Sequence, residues 1–308
     1  MNVHEVNGVN ETSDPLRLLQ TRVRIVLVAP RYAGNIGSSA RAMKTMGLRD
    51  LVLVSPIEHL AAEATWRAVH ASDVLTNARV TDSLAEATAD CVFVVGTSGR
   101  ERHLPLPVLE PRAAALAMLQ AALRGPVAVI FGNETSGLSG EDLARCNLHV
   151  RIPTDPEYSS LNLAMAVQLL SYELRMAALA VSSQSKHELV VLDTALDTAL
   201  DTALGTIGHG SVAQRALPTV RSRGSRALAT AAQLAHLMDH VERVLLHIGF
   251  HNPAKPRLLL QRLRRLFARA QLESAETHLL RGILASVERA AERREVKHEQ
   301  SRGGKQQE

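Results

Sequence analysis

The 308-residue sequence predicts an α/β fold with a mostly parallel sheet, followed by a small helical domain. Three observations carry that expectation. Short β-branched runs alternate with helical stretches between Arg22 and Ala180, the texture turns to Ser, Gly, Thr and His from Val181 to about Gly224, and amphipathic helical patterns resume beyond Arg226. An apolar fraction of 46% with 35 Lys+Arg against 31 Asp+Glu is ordinary globular composition, which excludes disorder throughout the chain.

In chain order, residues 1–20 are polar, carry Glu5, Glu11 and Asp14, and read as a disordered tail rather than a secretory signal. Residues 21–180 hold five apolar runs: RVRIVLVA from Arg22, LVLV from Leu51, CVFVV from Cys91, VAVIF from Val127 and LHVRI from Leu148. Because these runs are continuous instead of alternating, the strands are expected to be covered on both faces, as in a parallel sheet with crossover helices. Residues 181–224 form a linker containing three consecutive Asp-Thr-Ala-Leu units from Asp193 to Leu204, a low-complexity insertion or a short, weakly anchored helix. Residues 225–295 read as three amphipathic helices, with Gly249 ending the first and Pro253 and Pro256 opening the second; residues 296–308 form a second polar, disordered tail.

No stretch approaches the roughly 18 consecutive apolar residues of a membrane span; the run from Ala113 to Leu123 is broken by Gln120 and closed by Arg124 and Gly125. A soluble cytoplasmic protein without membrane partners is expected. Two distant cysteines, Cys91 and Cys146, fit buried structural thiols, and no H-E-x-x-H or paired Cys/His spacing accompanies the thirteen histidines, so no metal is expected. Charge is uneven. Residues 1–220 hold 18 basic and 22 acidic side chains and residues 221–308 hold 17 and 9, or −4 and +8, which points the C-terminal part toward a polyanion.

Chemistry concentrates in three segments that each follow a strand. Ala29 to Arg41 combines a glycine turn with a helix N-terminus, where free N–H groups and the helix dipole suit an anion; it matches neither the dinucleotide fingerprint nor the P-loop. Phe131 to Leu138 places Glu134 where it could cap the next turn or accept hydrogen bonds from a ligand or site residues. Ile152 to Ala164 offers Ser159 and Ser160 as helix N-cap candidates and puts Asn162 in the first turn of an apolar helix, where a buried amide needs partners.

These segments, as N-x-G-x-x-x-R at Asn35 to Arg41, F-G-N-E-x-x-G at Phe131 to Gly137 and S-S-L-N-L-A at Ser159 to Ala164, resemble the three ordered motifs of the SpoU/TrmH branch of the SPOUT RNA methyltransferases. ARAMKTMGL at Ala40, VVGTS at Val94, PEYSSLNLAMAVQ at Pro156, QRLRRLF at Gln261 and LLRGILAS at Leu279 are most similar to members acting on the cytidine or uridine 2′-oxygen of tRNA. Asn133 follows the wider family pattern, where tRNA-directed members often carry arginine.

The resemblance implies a sheet with a C-terminal trefoil knot, S-adenosylmethionine as methyl donor, a homodimer, and tRNA position 32 in the anticodon loop as target. It implies cofactor contacts at Thr97, Ser98, Gly99, Gly132, Ile152, Ser159, Ser160 and Leu161, and catalytic roles for Arg41, Glu134, Ser160 and Asn162. RNA contacts are expected at Asn35, Arg100, Arg102, Arg257, Arg262, Arg264 and Arg265. An rRNA 2′-O-methyltransferase of the same family and a non-catalytic RNA-binding protein are the alternatives.

Overall fold

The structure, a computed structural model, describes residues 14–57, 59, 61–99, 108–183, 227–252 and 258–303, with side chains described as far as Arg293. The chain divides into two units, Met1–Arg223 and Gly224–Glu308.

The first unit opens with α1 (Pro15–Arg22), which begins earlier than the expected end of the polar tail at residue 20. Asp14 caps it by accepting the Leu16 N–H, Pro15 supplies a preset φ, and Leu18 and Leu19 are buried. The sheet contains β1 (Val23–Val28), β2 (Asp50–Val54), β3 (Arg79–Thr81), β4 (Phe93–Thr97), β5 (Val108–Leu109), β6 (Val127–Phe131) and β7 (Leu148–Val150). Its order is β3-β2-β1-β6-β4-β7-β5, and every pairing is parallel. Five strands coincide with the five apolar runs. The other two have three and two residues, with Val80 and Val108 about half exposed, so they lack the apolar run that marks a buried strand.

The crossovers are α2 (Ala33–Met46), α3 (Ala62–Ala68), a 3₁₀ turn, α4 (Ser72–Thr76), α5 (Leu84–Ala87), α6 (Pro111–Ala122) and α7 (Gly140–Ala144), and α8 (Leu163–Ser183) closes the unit. Gly34 and Gly37 lie inside α2 instead of forming a turn before it. Gly37 has a packing reason: a Cβ there would run into the Ala64 carbonyl, so glycine lets α3 seat against α2. By length and composition Leu163–Ser182 could cross a membrane, but α8 packs against α1, α2 and α6 and buries Val167, Leu170 and Leu174 in the common core.

At the N-terminal edge of the sheet, Arg24 ties β1 to its neighbours. Its guanidinium donates to Asp50 at 2.8 Å, to Asp90 at 2.7 and 3.1 Å and to the Ala87 carbonyl at 2.9 Å. Burial opposes the Arg24 charge, yet the hydrogen bonds with Asp90 and Asp50 raise its pKa, and Arg24 holds the Asp90 carboxyl below the usual carboxylate range. Both cysteines are free and buried, as expected, and burial pushes the Cys91 thiol up to about 12.

The second unit comprises α9 (Ala231–His247), α10 (Leu259–Ala270) and α11 (Ser274–Gly303). Thr230 and Gln233 form a reciprocal capping box at the start of α9. Gly249 ends the helix with φ +70°, the role read from the sequence. Pro253 and Pro256 lie outside the described residues, as does residues 184–224 of the linker with its repeat. An antiparallel bridge between Leu228 and Glu273 ties the segment entering α9 to the segment entering α11, and Leu237, Met238, Val241 and Val244 fill the small core. His240 and Arg243 of α9 both meet Glu288 of α11 at 3.2 Å.

Candidate active site

The loops after β4, β6 and β7 leave the sheet at the same, C-terminal edge, where open parallel sheets form their clefts. Between them lies a cavity of about 310 Å³ lined by residues of all three loops. Its walls are tied to the sheet: the Thr97 hydroxyl donates to the Ile130 carbonyl at 3.0 Å, and the Ser98 N–H to the Val150 carbonyl at 3.1 Å. Thr97, Ser98, Gly99, Gly132, Ile152, Ser159, Ser160 and Leu161, the residues expected to contact a cofactor, all line it.

The β6 loop is a tight reversal. Gly137 takes φ +68° and donates its N–H to the Asn133 carbonyl at 3.0 Å, closing a bridge between these residues. Asn133 Oδ1 accepts the N–H groups of Thr135 and Ser136 and the Ser136 hydroxyl, at 3.0, 2.7 and 3.1 Å. A Cβ on Gly132 would collide with the Gly137 and Leu138 backbone, so both glycines of this motif are required by geometry.

That reversal aims Glu134 at the start of α2. Its carboxylate accepts the Arg31 N–H at 3.0 Å, the Tyr32 N–H at 3.4 Å and the Asn35 side-chain amide at 2.8 Å. The anion expected at this helix N-terminus is thus supplied by the chain itself. Burial disfavours the charge on Glu134, but the hydrogen bonds from Asn35 and from the Arg31 and Tyr32 backbone outweigh it and hold the carboxyl below its ordinary value.

Asn35 continues the chain of contacts, accepting from the Asn162 side-chain amide at 2.9 Å. Asn162 in turn accepts the N–H groups of Ala164 and Met165 at 2.9 and 3.4 Å, capping α8. The expectations for this segment need correction: Asn162 is an exposed cap rather than a buried amide within the first turn, and it fills the capping place assigned to Ser159 and Ser160. Those serines are free to face the cavity.

Arg41 is not part of this cluster. It lies on an exposed position of α2 and does not line the cavity of its own chain. Of the expected RNA contacts, Asn35 is engaged by Glu134 and Asn162, while Arg262 on α10 is exposed and Arg264 and Arg265 are half-buried. Arg100, Arg102 and Arg257 lie outside the described residues. The sequence reading missed Thr135, Ser136 and Thr154 as cavity walls and Arg269 on α10, which shares a face with Arg262 and Arg265 at helical spacing. The first three sit inside segments already singled out, and the i, i+3, i+7 spacing was the signal for Arg269. Among the described residues no group of three or more His, Cys, Asp or Glu is arranged to hold a metal ion.

Comparison with known proteins joins these observations. Residues 22–172 match the SpoU rRNA methylase family, and residues 232–296 match the C-terminal domain of the tRNA methyltransferase TrmJ. The chain is 43% identical over 271 residues to the tRNA (cytidine/uridine/adenosine-2′-O-)-methyltransferase TrmJ of Pseudomonas aeruginosa (strain UCBPP-PA14), covering 88% of this chain and 95% of that protein. It is 42% identical over 266 residues to the tRNA (cytidine/uridine-2′-O-)-methyltransferase TrmJ of Klebsiella pneumoniae subsp. pneumoniae, covering 86% and 96% of the two chains. Among solved structures, TrmJ from Z. mobilis ZM4 superposes with a TM-score of 0.65 at 30% identity, over 86% of this chain and 98% of that one. The chain belongs to the SpoU family of RNA methylases, in its TrmJ branch.

Proposed function

We propose that the protein transfers a methyl group from S-adenosylmethionine to the ribose 2′-oxygen of cytidine or uridine at anticodon-loop position 32 of tRNA, in the cytoplasm. The observation that carries this reading is the cavity formed by the loops after β4, β6 and β7, in a chain similar along most of its length to tRNA 2′-O-methyltransferases. Its volume of about 310 Å³ falls at the lower end of the range for small-molecule sites, about 300–1,000 Å³. Small side chains and backbone groups at Thr97–Gly99, Gly132 and Ser159–Leu161 suit close contact with an adenine ring and an amino-acid chain. When bound, S-adenosylmethionine supplies an electrophilic methyl group.

The protein must then orient the hydroxyl and stabilise the charge that develops on its oxygen. Glu134, Asn35 and Asn162 tie the β6 loop to the starts of α2 and α8, so Glu134 and Asn162 act by positioning; Ser160, in the cavity wall, is assigned to contact cofactor and ribose. Arg41 is assigned to the substrate phosphate and the developing 2′-oxyanion. A guanidinium keeps its proton near neutral pH, so the proton leaves to a phosphate oxygen or to water.

Arg41 lies outside its own cavity, so we infer a homodimer in which it serves the cavity of the second copy. The exposed apolar stripe Met165, Leu169 and Tyr172 on α8, beside α2, supports such an interface. A trefoil knot belongs to the same reading, supported by the insertion of β6 between β1 and β4 and of β7 between β4 and β5. The helical unit, with Arg262, Arg264 and Arg265 and the adjoining Arg257, is assigned to tRNA phosphates, and Arg100 and Arg102 to RNA beside the cavity.

An rRNA substrate is the second reading, since the SpoU match includes it; the TrmJ match over residues 232–296 favours tRNA. Labelled methyl transfer to bulk tRNA and, separately, to rRNA tests the assignment. Label in tRNA alone is the expected result, and label in rRNA alone overturns it.

A further inference from the structure

The β1–α2 loop displays two side chains that methyl transfer as described leaves unused, Arg31 and Tyr32. We propose that this pair is a nucleotide-binding element: Tyr32 stacks on a base next to the methylated nucleotide, while Arg31, with Arg67 of α3, holds the flanking phosphates. The inference deepens the RNA-methylation reading and rests on it.

The loop is fixed. Ala29 leaves β1 with φ +47°, Pro30 is buried, and the next two N–H groups both end on Glu134 at 3.0 and 3.4 Å. The Tyr32 carbonyl accepts the N–H groups of Asn35 and Ile36 at 3.0 and 3.3 Å. The Tyr32 ring, by contrast, is 59% exposed in a protein with only 3% aromatic residues. A single exposed aromatic is ordinary on a surface. An exposed ring whose backbone N–H is held by a carboxylate that lines the cavity has a fixed point of attachment beside the site, and a base of any identity offers it a π face.

Positive charge on this loop and on α3 fits a phosphate backbone. Arg31 is exposed and makes no ion pair among the described residues. Against Gly34 lie the Glu63 carboxylate and, at 3.7 Å from the Cβ position, the Arg67 stem, so α3 brings a second guanidinium together with its acidic partner beside the loop. Its ion pair with Glu63 is 3.7 Å long and exposed, a geometry that holds a side chain only weakly. Ile57, 60% exposed, donates its N–H to the Pro30 carbonyl at 3.2 Å, which tethers an exposed apolar residue to the same loop.

The test uses the full chain with an anticodon stem–loop RNA carrying 2-aminopurine beside the target pyrimidine, alongside steady-state methyl transfer to tRNA. Wild type is expected to quench the 2-aminopurine on binding. Tyr32→Ala should abolish the quench and raise KM for tRNA about tenfold, with S-adenosylmethionine affinity unchanged, and Tyr32→Phe should restore both. Arg31→Ala should weaken RNA binding and flatten its salt dependence while leaving the quench at saturation. An unchanged quench and KM in Tyr32→Ala overturns the proposal even if wild type methylates tRNA. A Tyr32-dependent quench in a protein that labels only rRNA sustains it while the tRNA assignment fails.

Discussion

The cavity at the C-terminal edge of the sheet and the basic helix α10 are both assigned to the same reaction, yet they are built in opposite ways. The cavity is held by backbone geometry and by a chain of side-chain contacts from Glu134 through Asn35 to Asn162, each within 3.0 Å. Helix α10 has no fully buried residue, carries Arg262, Arg264, Arg265 and Arg269, and has no acidic residue between Leu258 and Leu272. Chemistry on a single atom needs groups fixed to fractions of an ångström, whereas gripping a folded RNA by its phosphates needs only charge of the right density. The first region should therefore fail abruptly on substitution and the second gradually.

The sharpest break in that contrast is expected at Arg41. Arg41→Ala should lower the methyl-transfer rate about 10²–10³-fold with cofactor affinity retained, as for loss of one group aimed at a developing oxyanion. Arg41→Lys should recover little, because a point charge lacks the guanidinium fork. Mixing Arg41→Ala with a cofactor-blocked Gly99→Trp variant should restore activity if the two groups act from different copies, and inactive mixtures would return Arg41 to its own cavity.

Gly132→Ala comes next. The added methyl has no room against Gly137, so the variant should lose about 3 kcal/mol of stability in urea unfolding and bind S-adenosylmethionine poorly. Gly140→Ala, with open space around its Cβ, serves as the control in the same assay.

Glu134→Gln should cost about 1 kcal/mol at neutral pH through its weakened contacts with Arg31, Tyr32 and Asn35. The Glu134 pKa is lowered on folding, so its contribution is present above the unfolded-state value and lost as pH falls through the folded one. The stability gap between wild type and variant should close below about pH 4; a gap independent of pH would contradict the carboxylate's role.

The smallest effects belong to α10. Alanine at Arg262, Arg265 or Arg269 should weaken tRNA binding severalfold, lower the slope of log affinity against log salt by about 1 each, and leave cofactor binding untouched. An abrupt loss from any one of them would erase the distinction between the two regions.

What the sequence disclosed follows the same division. Continuous apolar runs revealed the five buried strands, while β3 and β5 are short and partly exposed and generate no run. The loops that build the cavity were legible through the resemblance, which assigned Ser98 and Gly132, directly after β4 and β6, and Ser159, on the way into α8, to the cofactor. Their mutual arrangement was not: Glu134 and Asn35 are 99 residues apart and Asn35 and Asn162 are 127 apart, so hydrogen bonds that define the site leave no local pattern. Helix α10 was the reverse case: its assignment to a polyanion came from charge alone, and its geometry added only Arg269.

The most direct measurement of the central claim is nuclease digestion and mass-spectrometric mapping of tRNA after incubation with labelled S-adenosylmethionine and the wild-type protein, with Arg41→Ala in parallel. A 2′-O-methylated cytidine or uridine at anticodon-loop position 32 that is missing with the variant is the predicted result. Methyl groups on a base, or a 2′-O-methyl mark that persists with Arg41→Ala, would contradict it.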